Sequence, residues 1–186
     1  MFKKLFSLLL FLSCLFGLSN ELMANDYDDY VEQTLKAVKN QVVKMQYALK
    51  NNDYQDFITL VDPETINYFD QIRKLTISSD DADLDSYSST QVFYILILRH
   101  RVPKSVLETT SKSDFFIYML KNHILNFKDL FNIDLDKVKV SIRGNVVFLS
   151  SVNKENNQPQ TLNFKYSSTT KTWRYIFTDF QSFKLN

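Results

Sequence analysis

Hydrophobic positions along the chain change their period once, in the mid-130s. Before that point apolar residues recur at steps of three and four, which is the spacing along one face of a helix. After Asp136 apolar and polar residues alternate, as they do in a half-buried strand. Helices followed by strands predict an α+β fold in which the helices cover the apolar face of the sheet.

The first apolar stripe starts at about residue 25 and predicts a long helix. Its members lie three or four positions apart: Tyr27, Val31, Leu35, Val38, Val42, Met45 and Leu49. The letters "NND" (51–53) predict the end of this helix and a cap for a short second one. Asp62-Pro63 predicts the end of the second and the start of a third, since proline fits the first helical turn.

The apolar run "VFYILILRHRV" (92–102) fits either a buried strand or a buried helix, because periodicity does not separate the two. We interpret 88–101 as a helix for three reasons. Ser88–Gln91 can cap its start, Pro103 can stop it, and Arg99, His100 and Arg101 would complement the negative end of its dipole. A polar loop is predicted before it, over 78–89.

Ser111 to Asn132 predicts one more helix, which begins with a capping box formed by Ser111 and Asp114. Its apolar face is formed by Phe116, Met119, Leu120, His123, Phe127, Leu130 and Phe131.

Four strands follow, and together they predict a curled antiparallel four-stranded meander. "KVKVSIR" and "VVFLSSV" flank Gly144-Asn145, a pair typical of tight hairpin turns. "TLNFKYSS" alternates well, and "TKTWRYIFTDFQSF" (170–183) predicts a long last strand.

The first 24 residues predict a secretory signal peptide, which makes 25–186 a single mature domain. Lys3 and Lys4 precede an apolar run that is short for a membrane-spanning helix. The expected destination is the periplasm or the extracellular space. Two alternatives remain: residues 5–18 stay as an inner-membrane anchor, or Cys14 is lipidated.

Composition removes several classes of function. The chain has 22 Lys and Arg and 21 Asp and Glu. Loss of Lys3, Lys4 and Glu21 with the leader would leave the mature chain formally neutral. We therefore expect no nucleic-acid partner. The mature chain would contain no cysteine and only two histidines, which predicts no metal site. A single remaining glycine, Gly144, excludes a glycine-rich nucleotide loop, and we expect no cofactor.

Two stretches carry a resemblance to a known family: "ALKNNDYQDFITLVDPETINYF" (48–69) and the terminal "VSIRGNVVFLSSV" with "TLNFKYSSTTKTWRYIF". They resemble the nuclear transport factor 2-like superfamily, which has the cystatin-like fold. The resemblance implies a cone of helices and curled sheet around an apolar pocket. Some members are isomerases or dehydratases, and others bind ligands or proteins or dimerise through the sheet. One departure is the lack of a clear hairpin between the early helices and the Ser111 helix.

For an acid/base enzyme, the candidate catalytic residues are His123, Tyr118 and His100. His123 is placed on the apolar face of the Ser111 helix, and a histidine there is more often a packed residue than a catalytic one. Asp62, Asp70 and Asp114 are candidate pocket acids.

We favour a non-catalytic binding protein, whose ligand would be a small apolar molecule or a partner protein. Trp173, Tyr175, Phe177 and Tyr94 are the candidate binding residues, because aromatic side chains are enriched where partners dock. The same residues could instead close the sheet over the helices. A homodimer through the sheet and a membrane-anchored component of an envelope assembly are further alternatives.

Overall fold

The computed structural model describes residues 28–177. The predicted signal peptide and Tyr27 lie outside the described residues. The chain divides into two compact units, with the boundary between Val38 and Lys39. Of the first unit, residues 28–38 are described and are helical. The second unit begins with helical residues 39–50, which we call α1.

Helices make up the first two thirds of the second unit. After α1 they are α2 (Tyr54–Thr59), α3 (Pro63–Ser78), α4 (Ser89–Arg101), α5 (Lys104–Thr109), α6 (Lys112–Lys121) and α7 (Phe127–Leu130), with short 3₁₀ turns at Ala82–Ser86 and Leu135–Lys137.

The predicted starts of α2 and α3 are confirmed by side-chain caps. Asp53 accepts a hydrogen bond from the N–H of Asp56, and Asp62 accepts one from the N–H of Glu64. Each cap satisfies a backbone donor that has no partner inside the helix.

The prediction of a helix over 88–101 is also confirmed. The Ser88 hydroxyl accepts from the N–H of Gln91 at 3.2 Å, and the Gln91 side chain accepts from the N–H of Ser88 at 2.9 Å, which completes a capping box. The basic residues at the other end bind other segments. Arg99 donates to Asp81 at 2.8 Å and to the Ser79 carbonyl, and Arg101 donates to the Asn122 carbonyl.

The prediction of one helix from Ser111 to Asn132 is wrong, because the chain turns at His123. His123 has a φ of +52°, in the left-handed region. Its N–H binds the Leu120 carbonyl, and the N–H of Ile124 binds the Met119 carbonyl at 2.9 Å. These two bonds define a Schellman motif, which ends α6 and leaves α7 as a separate turn.

The predicted meander is confirmed. The strands are β1 (Lys139–Arg143), β2 (Val146–Val152), β3 (Pro159–Ser167) and β4 (Thr172–Tyr175), each antiparallel to the next in the order β1-β2-β3-β4. Gly144 has a φ of +58° at the first position of the β1–β2 turn, where a type II′ hairpin needs glycine.

The prediction of a long last strand is wrong within the described residues, since β4 ends at Tyr175. The backbone of Tyr175 bonds to the segment between α2 and α3: its N–H donates to Leu60 and its carbonyl accepts from Asp62. Two residues later the N–H of Phe177 binds the Thr65 hydroxyl at 2.8 Å. Between them the N–H of Ile176 still donates to the Asn163 carbonyl of β3 at 2.9 Å, so the end of the described chain bonds to both β3 and α3.

Aromatic rings fill the space between the helices and the inner face of the sheet. Tyr175 lies 5.5 Å from Phe127 and 5.1 Å from Phe131, centroid to centroid, and Phe164 of β3 lies 6.1 Å from it. Phe57 of α2 contacts the rings of Phe127 and Phe131. The helices therefore cover the sheet through a continuous ring cluster, which we call the aromatic core.

Candidate functional site

An open cleft of about 610 Å³ lies where α1, α7 and the loop after β2 meet. Leu49 and Phe131, both almost fully buried, form its apolar floor. The rest of the lining is polar or charged: Gln46, Lys50, Lys128, Asp129, Asn132, Lys154 and Glu155. We call this surface the lysine cleft.

The α1 wall is fixed to the floor by one hydrogen bond. The Gln46 side chain donates from Nε2 to the Phe131 carbonyl at 2.7 Å, across 85 positions of sequence. That carbonyl, just after the last turn of α7, also accepts from the N–H of Ile133 at 2.9 Å. Lys50 lies one turn further along α1, close to the helix end that Asn52 terminates with a φ of +57°.

The opposite wall is the loop after β2, and buried Asn153 holds it in place. Asn153 donates from Nδ2 to the Asp129 carbonyl and accepts from the N–H of Glu155, both at 2.9 Å. The N–H of Lys154 donates to the Asn132 carbonyl at 2.9 Å. Because these bonds fix its backbone, the loop presents Lys154 and Glu155 at the cleft from a constrained position.

Three lysines give the cleft its charge. Among residues 28–177, none of the ion pairs found includes Lys50, Lys128 or Lys154. Lys128 donates to the neutral Asn52 side chain at 3.0 Å. The two acids of the lining also bind amides, Asp129 accepting from Asn126 and Glu155 from Asn132. Three amines against two carboxylates leave one net positive charge.

The field of Lys154 extends beyond the cleft to Asp134. The N–H of Asp136 is the main cause of the lowered pKa of the Asp134 carboxyl, and the positive charges of Lys137 and Lys154 lower this pKa further. Lys154 is the last and smallest of these causes, so its effect on Asp134 is minor.

The lining offers hydrogen-bond donors to an anionic ligand. Lysine amines donate to carboxylates or phosphates, and amide side chains add neutral hydrogen bonds.

The candidate catalytic residues are not brought together in this cleft. His123 is exposed, so its predicted place on an apolar helix face is wrong; the left-handed turn directs it outward. His100 is exposed in the last turn of α4. Tyr118 is half-buried on α6, and its carbonyl accepts from the Asn122 side chain at 2.9 Å.

The candidate binding aromatics belong to the interior. Trp173 is 8% exposed and Tyr175 4% exposed, and burial raises the pKa of the Tyr175 hydroxyl. Phe177 and Tyr94 are half-buried and lie 5.1 Å and 5.2 Å from the Phe69 ring. This placement favours the packing role considered for these residues.

The candidate pocket acids have structural partners. Asp62 accepts from the backbone N–H of Glu64 at the start of α3, and the Asp114 carboxylate accepts from the Ser111 hydroxyl at 2.6 Å at the start of α6. Asp70 is buried, which by itself opposes ionisation, yet hydrogen bonds and charges from Lys74 and Arg73 lower its pKa overall. Its carboxylate is 2.6 Å from Arg73 and 2.8 Å from Lys74.

The lysine cleft was not predicted from the sequence. Its three lysines come from the end of α1, from α7 and from the loop after β2, and lysine is common on any surface. The one local signal is that each lies within two residues of an asparagine: Asn52, which ends α1 with a positive φ, Asn126, which bonds the Asp129 side chain, and Asn153, which bonds the loop backbone.

The fold and the cleft define an α+β protein with an open, lysine-lined surface site. Comparisons with protein-family models, with curated proteins and with solved structures found no match for this chain. Of the helices in residues 28–177, none is both long and apolar enough to cross a membrane. The same residues contain no cluster of three metal-ligating His, Cys, Asp or Glu side chains.

Proposed function

We propose that this chain is an exported, non-catalytic binding protein that takes an anionic ligand in the lysine cleft. The observation that carries the proposal is the convergence of three lysines, none in an ion pair among the described residues, on a cleft with an apolar floor. Like charges that share a cleft repel one another, and a bound anion relieves that repulsion.

The lining fits a ligand with several carboxylate or phosphate groups and a short apolar portion. Leu49 and Phe131 can contact the apolar portion, while Lys50, Lys128 and Lys154 bind the charges around it. The two carboxylates of the lining are engaged by amides, so they compete weakly for the lysines.

A ligand enclosed between helices and sheet has less support, because the aromatic core occupies that space. Phe57, Phe131 and Phe164 are completely or almost completely buried and touch neighbouring rings. An apolar molecule there would have to displace packed side chains, and packed interiors resist added volume.

Export and kinship with nuclear transport factor 2-like proteins belong to the same proposal. The leader-like residues 1–24 and a mature chain without cysteine support export. Helices followed by a meander support the kinship, although described residues 63–130 are helical or loop where the family usually has strand pairing. N-terminal sequencing of secreted material would test export, with a start at Asn25 as the expected result.

Isothermal titration with a triglutamate peptide tests the binding site. We expect the wild-type protein to bind this peptide and the double variant Lys50→Gln/Lys154→Gln to bind roughly two- to thirtyfold more weakly, because each of the two exposed charge pairs contributes about 0.2–1 kcal/mol. Lys104→Gln removes an exposed amine of α5 outside the cleft and should leave the affinity unchanged.

Two results would overturn the proposal. One is equal affinity for the wild-type protein and the double variant. The other is equal affinity of the wild-type protein for triglutamate and for trilysine, since an anion site must distinguish the sign of the charge. Circular dichroism of both variants would confirm that they are folded.

A further inference from the structure

The two edges of the sheet differ in what covers them. At the β4 edge, Leu60 and Asp62 hydrogen-bond to the backbone of Tyr175, at 2.9 Å and 2.7 Å. At the other edge, β1 pairs only with β2 within the described part of the chain. A strand with one neighbour leaves backbone donors and acceptors along its outer side.

The hairpin geometry identifies these outer groups. Arg143 and Val146 flank the two-residue turn and form a hydrogen-bonded pair, so the backbones of Arg143, Ser141 and Lys139 face β2. The bond from the Tyr166 N–H to the Asn145 carbonyl agrees with this alternation. The N–H and C=O groups of Val140 and Ile142 therefore point outward.

The side chains of these two residues are also incompletely covered. Val140 and Ile142 belong to the inner face, opposite Leu149 and Val147 of β2. The β2 residues are fully buried, whereas Val140 and Ile142 are only half-buried. One more strand beside β1 would cover their exposed sides.

The charges of β1 determine which strand can be added. Lys139 and Arg143 occupy the two ends of β1 and are exposed. Two copies of β1 paired antiparallel about Ser141 would place each Lys139 opposite an Arg143 of the other copy. Like charges directly opposite one another destabilise a strand pair, so this edge disfavours self-pairing and favours an acidic strand.

We propose that β1 is the docking edge for an extended segment of a partner protein that carries carboxylates opposite Lys139 and Arg143. The segment would bond to the outward backbone groups of Val140 and Ile142 and bring apolar side chains beside theirs. This strand addition uses main-chain bonds for affinity and alternate side chains for specificity. It goes beyond the proposed anion site and does not depend on it.

Charged side chains on an edge strand can also serve only to prevent aggregation. The two roles differ in one respect. A protective edge rejects every strand, whereas a docking edge accepts one with the opposite charges.

The test uses the peptide acetyl-Glu-Val-Thr-Val-Glu-amide, whose two glutamates have the spacing of Lys139 and Arg143. Amide shifts of the labelled protein are followed by NMR during titration. We expect saturable shifts at Val140 and Ile142, and affinity roughly five- to tenfold higher than for the peptide with lysine in place of both glutamates. Methylation of the peptide nitrogens of both valines should abolish binding.

Charge reversal of the strand supplies the matched protein variant. Lys139→Glu/Arg143→Glu should prefer the lysine peptide to the glutamate peptide. Lys104→Glu/Lys121→Glu changes the net charge equally at exposed sites outside the sheet and should keep the wild-type preference. Absence of shifts at β1 with the glutamate peptide, or an unchanged preference after charge reversal, would overturn the proposal. Loss of triglutamate binding at the lysine cleft alone would leave it standing.

Discussion

The aromatic core and the lysine cleft lie on either side of the same residue, Phe131, and are built by different forces. In the core, rings from α2, α7 and the sheet pack against one another and exclude water. In the cleft, amines and amides surround open space above Leu49 and Phe131. Phe131 therefore packs against rings on one side and borders open space lined by charged groups on the other.

The largest expected effect comes from emptying part of the core. Phe57→Ala should lower the free energy of unfolding by about 3–5 kcal/mol, because it removes a buried ring and leaves a cavity beside Phe127 and Phe131. Urea unfolding measures the loss. Phe93→Ala is the matched control, since that ring is 57% exposed and should cost less than about 1 kcal/mol. Equal losses would contradict the distinction between interior and surface.

Removal of a buried charge should lower the free energy of unfolding almost as much. Asp70→Asn removes the carboxylate that binds Arg73 and Lys74, and we expect a loss of about 2–4 kcal/mol at pH 7. Asp85→Asn, at an exposed aspartate of the 3₁₀ turn, should change little.

The pH dependence of that loss follows from the lowered pKa of Asp70. Its contribution is fully present above the ordinary pKa of 3.8 and is lost as the pH falls through the lower pKa of the folded protein. Unfolding curves of wild-type protein and Asp70→Asn should converge below pH 3.8. A constant difference down to the most acidic pH would show that the ion pairs do not set this stability.

One substitution at a helix end should raise the free energy of unfolding instead of lowering it. His123→Gly is expected to raise stability by about 1 kcal/mol, because glycine adopts a φ of +52° without the steric cost of a side chain. The same change at His100, inside α4, should lower stability by roughly 0.5–1 kcal/mol. Thermal unfolding compares the two. Loss of triglutamate binding in His123→Gly would revive the histidine as a functional residue.

The smallest expected loss of stability comes from breaking an exposed ion pair. Lys165 and Glu64 lie 2.6 Å apart, and Lys165→Gln should cost less than about 1 kcal/mol at pH 7. The hydrogen bond to Glu64 raises the pKa of Lys165, so its contribution is present below the ordinary value of 10.5 and is lost as the pH rises through the higher folded pKa. A cost as large as that of Asp70→Asn would contradict the ranking of buried over exposed charges.

Helix ends and turns could be predicted from the sequence where a side chain acts on residues close to it in the chain. Asp53, Asp62 and Ser88 cap the helices that they precede, and Gly144 makes the turn between β1 and β2. The change from helical to alternating spacing gave the order of helices and strands. Each of these signals depends on neighbours in sequence, which a single chain displays.

Features that depend on contacts between distant parts of the chain could not be predicted from the sequence. His123 ends α6 in a conformation for which glycine is the usual signal, so the pattern continued through it. Trp173 and Tyr175 alternate as a partner-binding strand would. Only their burial, and the α7 ring packed against Tyr175, show their packing role. The three lysines of the cleft come from separate elements, and their spacing in the sequence does not indicate that they lie close together.

Amide shifts of the labelled protein during titration with triglutamate would locate the binding site. We expect saturable shifts confined to the lysine cleft, at residues 46–50, 128–132 and 153–155, with the resonances of the core rings around Tyr175 unmoved. Saturable shifts centred on the core rings, or the absence of saturable shifts at the cleft, would contradict this proposal.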